Sequence, residues 1–150
     1  MRCQLSQQLG ADEVINASEV DPVETVKRLT SGRDADLVID CVGGYAGIKS
    51  FEQAQDMVAD KGTIQLIALY QSNNPLYPEK IMQKRLVAGM LTEELPMKTT
   101  LRAMESIEKG IIQVGKMITH QFPYAEAKEA FDFLWYTPES GLGVLLDWEL

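Results

Sequence analysis

The sequence predicts an α/β fold built on a parallel sheet, and two observations predict it. Three short apolar, partly β-branched runs, DEVIN at 12–16, ADLVIDCV at 35–42 and GTIQLIALY at 62–70, are each bounded by Gly, Asp or Asn. Strands covered on both faces have this pattern. Helical periods separate the runs, and strand–helix alternation at regular intervals implies parallel strands joined by right-handed crossovers.

Taken in order, QLGADEVIN looks like a helix end, a turn and a short strand, although it arrives only eight residues after Met1. In DPVETVKRLT, Val23, Val26 and Leu29 share one face, Asp21 can cap, Pro22 suits the first helical position and Glu24 completes a box-like start. The second crossover runs from about Gly47 to Val58, with Ile48, Phe51, Ala54 and Val58 at helical spacing. After Tyr70 the polar, proline-containing QSNNPLYP reads as a loop, and KRLVAGML as a strand ending near Gly89 to Leu91. Two further helices follow. One spans roughly Met97 to Glu108 with Leu101, Met104 and Ile107 inward; the other spans roughly Ala125 to Tyr136 with Ala127, Phe131 and Leu134 inward. GIIQVGKMITHQFPY offers a short extended run between them, and GLGVLLDWEL closes the chain as a strand. No internal repeat, low-complexity tract or interdomain linker interrupts the pattern.

A chain of 150 residues predicts one core. Apolar residues at 45% and charged ones at 24% are ordinary globular composition and argue against disorder. The formal charge of −8 disfavours attraction to phosphate backbones, so no nucleic-acid partner is expected. Cys3 and Cys41 lie far apart and outside any CxxC pair, which predicts reduced thiols. No apolar run approaches the roughly 20 residues that span a bilayer, and the polar start MRCQLSQQ holds no signal-like apolar region. A cytoplasmic protein with no membrane partner is therefore expected.

Ligands of open parallel sheets bind beyond the carboxyl ends of the strands. Those ends are CVGG at Cys41 to Gly44, IALY at Ile67 to Tyr70, and GMLT at Gly89 to Thr92. The pair Gly43 and Gly44 would let the backbone approach a flat ligand, or simply turn into the next helix. Neither GxGxxG nor GxxxxGK[ST] is present, so the two common phosphate-cradling loops are missing. His120 is the only histidine and no GxSxG elbow supplies a nucleophile, so no catalytic residue is assigned. One histidine, two remote cysteines and carboxylates such as Asp36 and Asp40 on a single strand predict no metal site. Met82, Met90, Met97, Met104 and Met117 read as core filler. Glu93 and Glu94 read as a solvated turn, and Glu105 with Lys109 as a surface pair.

Together, LGADEVIN at 9–16, DPVETVKRLTSGRDADLVIDCVGG at 21–44, FEQAQDMVADKGTIQLIALY at 51–70 and MITHQFPYAEAKEAF at 117–131 resemble one family. It is the medium-chain, zinc-type alcohol dehydrogenases, specifically the latter part of their cofactor-binding domain, and the likeness runs from about Arg2 to Val144. The resemblance implies an incomplete Rossmann-like, doubly wound parallel sheet of order 3-2-1-4-5-6 that lacks the first two strands, with a C-terminal helix and strand packing on it. Residues 1–150 would form a partial dinucleotide-binding domain, including the helix and strand that return to the catalytic lobe. The glycine-rich loop, the ribose-binding acidic residue and the zinc-binding lobe would lie in the missing part.

By the same resemblance, NAD or NADP is the cofactor, with zinc only in the missing lobe. Val42 and Gly43 would lie by a ribose, Ile67, Ala68 and Leu69 along the nicotinamide, and Met90, Leu91 and Thr92 would contact its carboxamide. Ala68 stands where the family has glycine, and Gly143 where it often has a basic residue. Deleting two strands would leave DEVIN without neighbours and one edge of ADLVIDCV unpaired. DEVIN is then expected to pack beside ADLVIDCV, or another chain to fill the gap. The leading expectation is a fragment of an NAD(P)-dependent alcohol or polyol dehydrogenase, inactive alone, whose complete form takes a small-molecule alcohol. NADH is expected to change neither the emission of Trp135 and Trp148 nor the melting temperature. The alternatives are a non-catalytic association module dimerising through the outer strand near Val87, and a different nucleotide-binding enzyme such as a methyltransferase, in which MITHQFPYAEAKEAF has no place.

Overall fold

The computed structural model describes residues 1–71, 73–89 and 96–149. The chain divides into two compact units, Ile15–Thr92 and Met1–Val14 with Glu93–Leu150, where length alone predicts one core. Ile15–Thr92 contains α2 (Pro22–Leu29), β1 (Ala35–Asp40), α3 (Gly47–Met57), β2 (Val58–Leu66), the short α4 (Pro78–Ile81) and β3 (Arg85–Ala88). The other unit contains α1 (Arg2–Gln8), α5 (Pro96–Glu108), β4 (Ile118–Pro123), α6 (Ala127–Tyr136) and β5 (Gly143–Asp147).

The start of α2 follows the sequence signals. Asp21 Oδ1 accepts from the amides of Val23 and Glu24 at 2.8 and 3.1 Å, and Pro22 takes the first helical position. Its end closes as a Schellman turn: Ser31 N–H donates to Arg28 O and Gly32 N–H to Lys27 O. The same turn ends α1 at Gly10 and Ala11, and α5 at Gly110 and Ile111. In QLGADEVIN the helix end and turn therefore stand as expected.

The strand does not. Asp12–Asn16 forms no ladder, and Asn16 instead makes a side-chain turn, its Oδ1 accepting from Ser18 N–H at 3.2 Å. An extended segment becomes a strand only against a partner, and β1 has β2 as its one neighbour among the described residues. Direct pairing of DEVIN with ADLVIDCV is thereby overturned.

β1, β2 and β3 form a parallel sheet in that order, with Asp40 level with Leu66 and Leu66 with Ala88. β2 begins earlier than the apolar pattern implies because the chain bulges between Val58 and Thr63, at a left-handed Lys61 followed by Gly62. It also ends earlier, at Leu66. The amides of Ile67 and Ala68 both turn onto Asp40 O, at 3.1 and 3.3 Å, so IALY is a loop rather than the end of a strand.

α3 covers one face of this sheet. Ala54 and Val58 are buried with Ile64, and Val38 and Leu66 pack against them. Gln55, wholly buried, ties the following loop to the helix: its amide donates to Pro75 O at 3.0 Å and its oxygen accepts from Tyr77 N–H at 2.9 Å. Side chains alternate along a strand, and Leu37 and Ile39, facing away from this core, are 54% and 52% exposed. β1 is thus covered on one face, not on both.

β4 and β5 pair in parallel in a separate two-stranded sheet, with α6 as the crossover between them. Ala130 and Phe133 turn inward, with Phe133 4.2 Å from the His120 ring, while Phe131 is 68% exposed and Leu134 is also exposed. The inward face of α6 is therefore rotated from the predicted one. No residue of α5 is buried; Leu101, Met104 and Ile107, expected inward, are exposed. Met82, Met97, Met104 and Met117 are exposed as well and are not core filler, while Met90 lies outside the described residues, as do Glu93 and Glu94. Lys109 and Glu105 form the expected surface pair at 2.6 Å. None of the described helices is long and apolar enough to cross a membrane.

Replacing Ile64, which is fully buried, with Ala is expected to cost about 3 kcal/mol. Asp21→Ala, which removes only the cap of α2, is expected to cost about 1 kcal/mol. Urea unfolding followed by circular dichroism measures both, and equal costs would place Ile64 outside the core.

Candidate functional site

Parallel register brings the carboxyl ends of β1, β2 and β3 to one level, and the loops leaving β1 and β2 meet there. The centre of the meeting is Asp40, only 3% exposed. Its Oδ1 accepts from Val42 N–H at 3.0 Å and from Ser50 Oγ at 2.8 Å, and its Oδ2 accepts from Tyr70 Oη at 2.6 Å. Three donors are what a buried carboxylate needs to offset its lost hydration. Tyr70 is held well above the ordinary phenol range by its own desolvation first, then by its hydrogen bond to Asp40 and by that carboxylate's charge. Its hydroxyl therefore remains a donor at neutral pH.

Two glycines permit this approach. A Cβ on Gly43 would stand 2.7 Å from Leu69 O. On Gly47, buried at the first position of α3, a Cβ would meet Val42 O at 2.4 Å and the Tyr70 ring at 2.7 Å. Gly44, at φ 63°, donates its N–H to Leu69 O at 2.9 Å. The Gln65 amide reaches Leu66 O at 3.1 Å and Gly89 O at 3.3 Å, which ties the end of β3 to β2.

A cavity of about 480 Å³ opens at this level, lined by Leu66, Ile67, Ala68, Leu69, Tyr70, Ala88 and Gly89. No lining residue carries a charge. Ile67 is 55% and Leu69 88% exposed, and Val42 is exposed beside them. Such a surface can receive the flat face of an apolar ring but offers no general base, nucleophile or anion clamp. Of the predicted site residues, Val42, Gly43, Ile67, Ala68 and Leu69 are brought together by the two loops. Met90, Leu91 and Thr92 lie outside the described residues.

Sequence reasoning missed Asp40, Ser50 and Tyr70 as a group, having weighed Asp40 only as a metal ligand. An acid directly after the apolar run Leu37–Ile39 was the available signal, because a charge there requires donors from elsewhere. At Gly143 a Cβ would lie 2.6 Å from Met117 O. His120 packs on Phe133, with Nδ1 3.1 Å from Thr119 Oγ1. Among the described residues no three His, Cys, Asp or Glu side chains gather as a metal set.

The profile of a family described as zinc-binding dehydrogenase matches residues 1–107. The chain is 29% identical over 139 residues to an L-threonine 3-dehydrogenase of Bacillus licheniformis, covering 89% of this chain and 38% of that one. To an alcohol dehydrogenase of Cupriavidus necator it is 28% identical over 140 residues, covering 87% and 36%. Among solved structures, a zinc-dependent alcohol dehydrogenase from Streptococcus pneumonia superposes with a TM-score of 0.80 at 21% identity, over 97% of this chain and 42% of that one. An Escherichia coli oxidoreductase of unknown specificity gives 0.84 at 21% identity, over 97% and 41%. The structural likeness carries the fold, and the chain spans 38% of the length of the first of these sequence relatives.

Because the folded state holds the Tyr70 phenol protonated, the unfolded chain ionises first, at about pH 10. The stability that this raised value represents is complete below that pH and declines as pH rises toward the raised folded value. Urea unfolding from about pH 9 to about pH 11 should show the wild type losing more stability than Tyr70→Phe; equal losses would mean that the fold neither buries the phenol nor bonds it to Asp40.

Proposed function

The chain belongs to the zinc-binding dehydrogenase family, and from that premise we propose that it forms the nicotinamide-side wall of an NAD(P) site in an alcohol or polyol oxidoreductase. Its sheet is Rossmann-like, with β1-β2-β3 in the places of strands four, five and six. The observation that carries the proposal is an uncharged cavity lined by the Ile67–Leu69 loop, against which the Val42–Gly43 loop packs, within the residues that the family profile matches.

The residues fit a nicotinamide in two respects. Ile67, Ala68 and Leu69 present an apolar surface to a ring, and the backbone approach at Gly43 keeps that surface free of a further side chain. When bound, the nicotinamide supplies the hydride acceptor for an alcohol substrate. The wall's own work is to orient the ring and to keep water from one of its faces. Among the described residues no ligand set for zinc gathers, and none of them is assigned to zinc. The thiols of Cys3 and Cys41 suit a reducing compartment, the cytoplasm.

With no GxGxxG loop for the pyrophosphate, the wall alone binds weakly. Titrating NADH into the isotopically labelled chain should shift the amides of Val42, Gly43, Ile67, Ala68, Leu69 and Gly89. The dissociation constant should be about 1 mM or weaker, and the emission of Trp135 and Trp148 should not change. Shifts confined to other residues would remove the proposal.

An association role has one observation in its favour: β3 is an outer strand of its sheet, with Leu86 partly exposed. On that reading two copies pair through β3. Sedimentation should then show a dimer that Val87→Pro disperses while the circular dichroism of the monomer persists, whereas a wild type that stays monomeric when concentrated excludes the pairing.

A further inference from the structure

Asp40 presents a problem that the wall itself does not solve. Its carboxylate is almost wholly buried after the apolar run Leu37–Ile39, where a Val or Leu would bury without a desolvation penalty. What the acid achieves is connection. Oδ1 holds the loop leaving β1, through Val42 N–H at 3.0 Å, and the first turns of α3, through Ser50 Oγ at 2.8 Å. Oδ2 holds the loop leaving β2, through Tyr70 Oη at 2.6 Å. The backbone oxygen of the same residue receives the amides of Ile67 and Ala68. One residue thus touches both loops through side chain and main chain alike.

The surroundings are shaped to keep this bridge closed. The Tyr70 ring lies against Gly47, where any side chain would displace it, and 6.1 Å from the Phe51 ring. The two loops also meet directly where Gly44 N–H donates to Leu69 O. Every described residue of the wall, Val42, Gly43, Ile67, Ala68 and Leu69, lies on a segment that this bridge fixes at one end or both. Asp40 and Ser50 do not line the cavity; Tyr70 does, with its hydroxyl bonded to Asp40.

We propose that Asp40 and Tyr70 are a positioning pair that holds the Val42–Gly43 loop against the Ile67–Leu69 loop, and so fixes the shape of the wall that the nicotinamide meets. The inference rests on the reading of those loops as a cofactor wall. The pair touches no reacting atom; it acts through Val42, Gly43 and Leu69. Without the tie the loops would still be connected to their strands, but the order imposed on the wall would have to come from the ligand, which weakens binding.

Tyr70→Phe tests this with little disturbance, since the ring keeps its place against Gly47 and Phe51 and only the hydroxyl is lost. Two quantities are read on the full chain. The first, amide hydrogen exchange, needs no ligand: exchange at Gly44 and Val42 should quicken by about tenfold, the loss expected for one hydrogen bond to a charged group, while exchange in β2 is unchanged. The second is the NADH concentration that half-saturates the amide shifts of Val42, Gly43 and Ile67–Leu69, which should rise several-fold. Asp40→Asn serves as the rescue. Its oxygen can accept from Val42 N–H and its NH2 can donate to Tyr70 Oη, so Gly44 exchange should stay close to the wild-type rate; a merely space-filling role would be indifferent to whether position 40 is Asn or Leu. Unchanged exchange at Gly44 in Tyr70→Phe overturns the pair, whatever NADH does. Faster exchange in a protein whose wild type shows no NADH shifts at these loops upholds the tie between them and overturns the cofactor reading instead.

Discussion

Parallel pairing is the constraint from which the rest of Ile15–Thr92 follows. Strands that run the same way cannot be joined by tight turns, so the chain must return by a crossover each time, and every strand delivers its carboxyl end to the same side. Asp40, Leu66 and Ala88 therefore stand at one level. The loops after β1 and β2 leave that level, and the candidate site consists of what they carry, with Ala88 and Gly89 at the end of β3. The Val42–Gly43 and Ile67–Leu69 segments are neighbours because β1 and β2 are, although they lie more than twenty residues apart in the chain.

The closeness of the two loops then imposes its own chemistry. Glycine at 43 and 47 is a steric requirement of the approach, set by Leu69 O, Val42 O and the Tyr70 ring. Bringing backbone so close leaves amides to be satisfied, and Asp40 accepts from three of them, Val42 through its carboxylate and Ile67 and Ala68 through its carbonyl, besides the hydroxyls of Ser50 and Tyr70. A buried charge is tolerable only where donors converge in this way. The polar knot and the apolar cavity beside it are thus two consequences of one close approach, the first closing the loops' backbone and the second leaving their side chains exposed.

Much apolar surface remains uncovered. Leu37 and Ile39 on β1, Leu101, Met104 and Ile107 on α5, and Phe131 on α6 all face outward among the described residues. The same pattern accounts for the expectations that failed. A periodicity of 3.6 identifies which residues share a helix face, and that much held for α5; it does not say whether anything lies opposite. DEVIN likewise has the composition of a strand, but a strand is a property of two segments, and no described segment pairs with it.

The sequence by itself determined whatever depends on neighbours along the chain. The cap at Asp21 with Pro22, the glycine after α1, the period of α3 and the strands ADLVID and RLVA are local choices, governed by backbone dihedrals and by side chains a few residues apart. The family likeness added which loops belong to a site. Tertiary structure decided where β2 ends, because that depends on two amides turning to Asp40 rather than to a further ladder partner. It decided that IALY is a loop with an apolar surface, that α6 turns Ala130 and Phe133 inward, and that Asp40, Ser50 and Tyr70 form one group. Those outcomes rest on contacts between residues ten to thirty positions apart, whose free energy depends on distance in space and leaves no period in the chain.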